Sequence, residues 1–279
     1  MTAMIEEIRD ELIDAIANDK IVLPTLPEVA LQVRETAGDP NVNAQKLGDV
    51  ISTDAALTAR LIKVANSPLL RARNPIEDLK MAVMRLGIDY TSNLATGLAM
   101  EQMFQATSDT IDKLMRDVWN RSTEVAGISH VLCRHYTQLK PDQATLAGLV
   151  HKIGVLPILT YAEDNRRLLK DPALLNEVID TIHPLIGRKI LETWDFPEEL
   201  QMVPEEHMHF DRQVTKVDYA DIVMIANLQS YLGTDHPLTQ MDWSPISAFA
   251  RLGLDPDINT HEVEDLSADM EAAMAFLEQ

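Results

Sequence analysis

The segment Ala147-Gly-Leu-Val-His-Lys-Ile-Gly154 sets a histidine, His151, on an otherwise apolar stretch just before a glycine. An imidazole in that setting either satisfies its hydrogen bonds inside a core or offers a lone pair to a ligand or metal. His183, His207 and His209 are the other members of a candidate pocket, with Glu205 and Glu206 beside the last two. Imidazoles and carboxylates suit zinc or manganese. His207 and His209 are two residues apart and so diverge on a helix, which means that a site using both needs an irregular backbone there. A second concentration of chemistry is basic: Ala55 to Pro75 carries Arg60, Lys63, Arg71 and Arg73 and no acid. In a chain of formal charge −20 this local reversal fits docking of an acidic partner or a nucleotide phosphate, or pairing with the protein's own surplus carboxylates. Cys133, in Ser129-His-Val-Leu-Cys133, reads as a small buried side chain rather than a nucleophile. The sequence contains no Gly-rich phosphate loop, nucleophile elbow or paired-cysteine zinc motif.

The elements that position these groups are expected to be helices. Only 10 glycines, with 13 methionines and long stretches rich in Ala, Leu, Glu, Lys and Arg, favour helix over the turn-dense composition of sandwiches and barrels. Residues 2–18 place Ile5, Ile8, Leu12, Ile13 and Ile16 on one face. Ile21-Val-Leu-Pro-Thr-Leu-Pro27 predicts a stiff extended connector, with Pro27 in the first turn of a helix that carries Val29, Leu31 and Val33. Helices follow over 44–51, capped by Asn43, and 55–65, capped by Ser52 or Thr53. Asn66-Ser67-Pro68 ends the latter and holds a loop through side-chain hydrogen bonds. Asn74-Pro-Ile-Glu77 has the pattern of a helix start: cap, proline, and a glutamate that reaches back. Its helix would bury Leu79, Ala82, Val83 and Leu86 and stop at Gly87. Another helix spans 89–104, and Gln105-Ala-Thr-Ser-Asp109 reads as a polar linker between two halves. Helices are then expected near 110–135, 143–153, 157–162, 172–182, 184–194, 197–207, 217–231, 245–252 and 261–276. Trp119 and Trp194 are placed as core anchors.

A chain of 279 residues with 46% apolar residues can bury a full core. A single cysteine excludes an internal disulfide framework and points to a reducing compartment. The acidic amino terminus lacks the pattern of a secretion signal, and the apolar window 146–162 is interrupted by His151-Lys152 and Pro157, so neither secretion nor a membrane span is expected. The strong negative charge disfavours nucleic acid, although the short helices over 44–65 look like a helix-turn-helix.

Ala147 to Gly154 resembles the HD motif of metal phosphohydrolases, in which adjacent His and Asp ligate metal and Lys152 stands where the aspartate would be. An ordered set of other segments is similar to the HDOD (HD-related output domain) family. These are Leu23-Pro-Thr-Leu-Pro27, the helix Ile51-Ser-Thr-Asp-Ala-Ala-Leu-Thr-Ala-Arg-Leu-Ile-Lys-Val-Ala-Asn-Ser67, Leu79 to Gly87, Trp119-Asn-Arg-Ser122, His183 with Gly187, Trp194 with Pro197, and Ala220 to Asn227. The resemblance implies an all-α, multi-helix HD-like fold. Its parts would be an N-terminal helix over 1–20, an HDOD domain over 21–233 made of a helical half (21–105) packed on an HD-like half (110–233), and a helical extension over 234–279.

It also implies that Arg121 occupies the position of the first histidine ligand and Asn227 that of the last aspartate, with Asp221, earlier on the same helix, a less natural match. A divalent cation needs lone pairs and negative charge, whereas Arg121 and Lys152 bring positive charge and only donors. Without metal, water keeps a pKa far above neutrality. The site positions Arg121, His151, Lys152 and Asn227 are thus expected to form a degenerate HD site, with no catalytic residue, no metal and no other cofactor. The implied function is a cytoplasmic, bacterial signal-transduction module. It would act by contact with a signalling protein supplied in trans, or with another copy of itself, and not with nucleic acid or membrane. The rival is a divergent metal-dependent phosphohydrolase that uses the histidines on a nucleotide or phosphodiester.

Overall fold

The computed structural model describes residues 2–18, 22–70, 75–257, 268–269 and 272–273, and among these the regular structure is helical. The first half comprises α1 (Thr2–Ala17), α2 (Glu28–Gly38), α3 (Ala44–Ile51), α4 (Ala55–Ala65), α5 (Leu79–Leu86) and α6 (Ile88–Ala99). The second comprises α7 (Asp109–Tyr136), α8 (Pro141–Val150), α9 (Val155–Asp164), α10 (Arg166–Lys170), α11 (Pro172–Thr193), α12 (Glu198–Gln201), α13 (Val203–Glu206), α14 (Tyr219–Ser230) and α15 (Ser247–Leu252). The expected helix over 261–276 lies almost wholly outside the described residues.

Several helix starts follow local chemistry. Asn43 Oδ1 accepts from the Lys46 amide at 3.0 Å, which satisfies one of the donors that a helix end leaves free. At α4 the cap is Asp54, which accepts from the Leu57 amide at 2.9 Å, and not Ser52 or Thr53. The start expected at Asn74 is displaced to Leu79, where Asp78 accepts from the Met81 amide at 2.7 Å; Asn74 itself lies outside the described residues. The displacement has a visible cause. Ile76 is buried and its backbone pairs with one side chain: its N–H donates to Asn66 Oδ1 at 2.7 Å, and its carbonyl accepts from Asn66 Nδ2 at 2.8 Å. Gly87 ends α5 at φ +87°, a conformation that side-chain-bearing residues resist.

Two proline expectations reverse. Pro184 heads the helix expected over 184–194, yet α11 runs unbroken through it. Val178, Ile182, Ile186 and Ile190 form one buried stripe across the proline, and that packing outweighs the missing N–H. The helix expected over 197–207 is instead two short pieces, because Pro204 cannot donate to Leu200. Pro27 precedes α2 as its cap residue, and Leu31 is exposed while Val29 and Val33 are buried. On α1, Ile8 and Leu12 are buried but Ile13 faces outward; the side chain of Ile5 lies outside those described.

One apolar core runs from Ile8 to Ala273 through both halves, with α6 packed on both α2 and α8, and α7 packed on α8. The stretch Pro141–Asp164 is long and apolar enough to cross a membrane, but 83% of its apolar window is buried within the fold, as expected of core helices. A second bond between the halves comes from α2. Arg34 donates to the carbonyls of Trp194 and Asp195 at 2.7 and 2.8 Å and lies 4.1 Å over the Phe196 ring, while Trp194 Nε1 donates to Pro24 at 3.0 Å.

Candidate functional site

The long α7 presents Arg121, the turn between α8 and α9 presents His151 and Lys152, and α14 with the residues after it presents Asn227 and Tyr231. Arg121 and Lys152 converge on Tyr231. The Arg121 guanidinium donates to the Ser230 carbonyl at 2.5 Å and to Glu124 at 2.7 Å, and lies 4.6 Å over the Tyr231 ring. Lys152 Nζ donates to the Tyr231 hydroxyl at 3.3 Å. His236 stacks on the same ring at 3.7 Å, and its pKa is lowered by burial and by the positive charge of Lys152 and Arg121. A cavity of about 420 Å³ opens over these side chains.

His151 turns away from that cavity. It packs in a buried group with His183 and His207, at ring centroid separations of 5.0 Å from His151 to His207 and 5.7 Å from His183 to His207. His151 Nδ1 lies 2.6 Å from the Gly148 carbonyl and His207 Nδ1 2.9 Å from the Val203 carbonyl, contacts that make both Nδ1 atoms donors and leave both Nε2 atoms as lone pairs. Neither Nε2, nor either nitrogen of His183, finds a hydrogen-bond partner among the described residues. Burial, reinforced by the neighbouring His207 and by Lys152, holds His151 and His183 well below the ordinary histidine range, and burial holds His207 at about 3. The group is therefore three neutral imidazoles. His209 stands apart from it, exposed and 3.6 Å from Glu206, because the backbone beyond α13 carries residues 207 and 209 to different sides.

Gly154 sets the approach of these pieces. A Cβ there would fall on the His183 carbonyl and the Gly187 amide, so only glycine lets the α8–α9 turn pack against α11.

Several acids near the site are engaged elsewhere. Asp221 is fully buried, and both its oxygens accept from Arg251 at 2.7 Å while one also accepts from Arg212 at 2.8 Å. Although burial opposes its charge, hydrogen bonds and attraction from Asp218, Asp221 and Glu206 raise the Arg212 pKa. Asn227 is buried, with an unpartnered Oδ1. Of the positions matched to metal ligands, two carry cations, one is a neutral amide, and the His151 ring packs against His207 with its lone pair unpartnered. Among the described residues, no group of three or more His, Cys, Asp or Glu side chains has the arrangement to hold a metal ion. This donor set does not fit a catalytic divalent cation.

The basic segment over 55–75 is not an open cationic face at Arg60. Arg60 turns inward to pair with Glu101 and to donate to the Leu98 carbonyl at 3.3 Å, and burial lowers its pKa. Lys63 is engaged within the protein, and Arg71 and Arg73 lie outside the described residues. Cys133 is buried, and burial pushes its thiol up to about 11. Trp119 packs against Phe104 at 5.2 Å in the core. Sequence reasoning missed Tyr231 and His236. Tyr231 was within reach, since it lies four residues beyond Asn227 and therefore on the same helical face.

A family model described as HDOD domain matches residues 23–210. A Treponema pallidum (strain Nichols) relative, described only as an uncharacterized protein, is 26% identical over 251 residues, which are 81% of this chain and 46% of that protein. The chain thus spans about half the length of the curated relative it matches. The solved structure of a candidate metal-dependent phosphohydrolase from Shewanella amazonensis SB2B superposes with a TM-score of 0.87 at 31% identity, covering 98% of this chain and 99% of that one. An HDOD domain protein with unknown function from Geobacter sulfurreducens gives a TM-score of 0.64 at 22% identity, covering 98% of each chain. A candidate signal transduction protein from Marinobacter aquaeolei VT8 gives a TM-score of 0.64 at 23% identity, covering 94% of this chain and 61% of that one. The last two likenesses are of fold alone.

Proposed function

Because the chain belongs to the HDOD domain family, we propose that it is a non-catalytic regulatory module of bacterial signal transduction, working in the cytoplasm through contact with a partner protein. The observation that carries this reading is the convergence of Arg121 and Lys152 on Tyr231, where a phosphohydrolase would need lone pairs and negative charge. Arginine does not give up its proton in a protein, so this positive charge is permanent. A water molecule there would keep a pKa far above neutrality, instead of the value near 7 that a bound metal confers. The signal-transduction name of the Marinobacter neighbour is in keeping with the reading, at the level of fold analogy.

A specific observation favours a second reading, a rebuilt metal-dependent phosphohydrolase acting on a nucleotide or phosphodiester. His151, His183 and His207 are gathered with free lone pairs, and the Shewanella neighbour carries a metal-dependent phosphohydrolase name. One experiment separates the two: metal content of protein purified without chelator, followed by phosphodiester hydrolysis assays with manganese, iron, magnesium or zinc added. Well under one equivalent of metal and no turnover are expected. Stoichiometric metal, with turnover lost in His151→Ala, would overturn the regulatory reading.

A further inference from the structure

The cavity over Tyr231 has a charge pattern that the metal-free site does not require. Arg121 is offset by one carboxylate, Glu124. Lys152 makes no ion pair with any described residue, and the hydrogen bond it makes is to a neutral phenol. In a chain with an excess of 20 negative charges, carboxylates are plentiful, yet none lies within ion-pair distance of this ammonium among the described residues. Asp117, four residues before Arg121 on α7, is well spaced to pair with it, but Arg121 turns instead toward Glu124 and Ser230. Asp117 and Asp180 line the same cavity as exposed residues on α7 and α11. Half-buried positive charge thus shares the cavity with exposed acceptors. Between them, Leu114 and Val118 from α7 face Leu159 from α9 and Ile179 from α11, which gives the cavity apolar walls. Its volume of about 420 Å³ falls in the range of small-molecule sites, roughly 300–1,000 Å³.

We propose that this cavity binds a small organic anion with a planar ring, its negative group held by Lys152 and Arg121, its ring between the apolar walls, and ring donors met by Asp117 and Asp180. An oxyanion takes the place that a metal would occupy: two side-chain cations supply the charge neutralisation and the donors it needs. Arg121 is held in position by its bonds to Ser230 and Glu124 and by the Tyr231 face, so little side-chain freedom is lost on binding. Tyr231 carries both cations and the stacked His236, so an anion that draws on Lys152 would be felt directly by the segment that follows α14. The inference rests on the metal-free reading only in that no cation other than these side chains holds the anion.

The test is calorimetric titration of the full chain in EDTA with three probes of increasing complexity: inorganic phosphate, phenyl phosphate and guanosine monophosphate. Affinity should rise in that order. Lys152→Met should weaken the two ring-bearing probes by at least about tenfold, the scale of losing one charged hydrogen bond. Asp180→Asn should weaken guanosine monophosphate and leave phenyl phosphate unchanged. A urea midpoint measured on each variant identifies loss of fold. Should Lys152→Met fail to fold, Ile179→Trp blocks the cavity without changing charge and should abolish binding of both ring-bearing probes. Absence of binding by all three probes at concentrations on the order of millimolar would overturn the proposal, as would binding unchanged in Lys152→Met. Binding that appears only when manganese replaces EDTA, with hydrolysis, would overturn both this inference and the regulatory reading.

Discussion

His130, His151, His183 and His207 are buried as neutral imidazoles, so mild acid should destabilise this protein before most of its carboxylates titrate. Burial is the main cause in each case, and it places His207 at about 3 and His130 at about 4. The unfolded chain protonates a histidine near pH 6.5. Since the folded values are lower, the unfolded state takes up protons first. Stability from these groups is complete above about pH 6.5 and is lost as the pH falls toward the folded values. For His207 and His130, going from about pH 7 to about pH 5 shifts the equilibrium by roughly 2 kcal/mol each, or about 4 kcal/mol together. His151 and His183 act in the same direction. The loss is large beside a typical net stability of about 5–15 kcal/mol. Relief of the −20 charge by carboxylate protonation works the other way, but ordinary carboxylates titrate mostly below about pH 5. Urea unfolding, followed by the fluorescence of the three tryptophans, should give a midpoint that is flat from about pH 8 to 7 and falls steeply below about 6.5. A midpoint at pH 5 equal to or above that at pH 7 would refute the reasoning. His207→Met should keep roughly 2 kcal/mol more of its stability across the same interval, because one titrating group is gone.

Asp221→Ala removes the acceptor shared by Arg212 and Arg251; Arg212 keeps Asp218 and Glu206, but the partly buried Arg251 loses its counter-charge, so urea unfolding should show a loss of about 3–5 kcal/mol. Gly154→Ala places a methyl group against the His183 carbonyl and should cost about 3 kcal/mol or more by the same measurement, with the signals of the buried histidines shifted in an NMR spectrum. Cys133 should resist a thiol-modifying reagent in the native protein and react at the rate of global unfolding when urea is added, because its thiol is both buried and raised to about 11.

The helical class and most helix positions were legible because they follow from local rules. Asn43 as a cap, Gly87 as a stop and the buried positions of α5 depend only on residues within a few places of one another. The errors fell where a distant partner decides. Asn66 captures Ile76 across a loop and delays α5, and a stripe of buried aliphatic residues carries α11 through Pro184. At the site, the loss of lone pairs at residues 121 and 152 and of negative charge at residue 227 could be read from residue type alone. The convergence of Arg121 and Lys152 on Tyr231 could not, since it depends on how α7, α14 and the α8–α9 turn meet in space. Arg60 shows the same limit: pairing with the protein's own carboxylates was one of its two readings, but its counter-charge, Glu101, lies 41 residues away.

The pairing of Asn66 with Ile76 bears on how this protein ages. An asparagine followed by serine is prone to deamidation, in which the next backbone nitrogen attacks the side-chain carbonyl carbon and ammonia leaves. Here the Ser67 nitrogen donates to the Val64 carbonyl at 3.0 Å, and the Asn66 carboxamide is held between Ile62 and Ile76, so nucleophile and target are both restrained. If the conversion took place, an oxygen would replace the nitrogen that donates to the Ile62 and Ile76 carbonyls, setting acceptor against acceptor. The bond that closes this loop therefore also slows the reaction that would open it, and chemical lifetime at this position becomes a property of the fold.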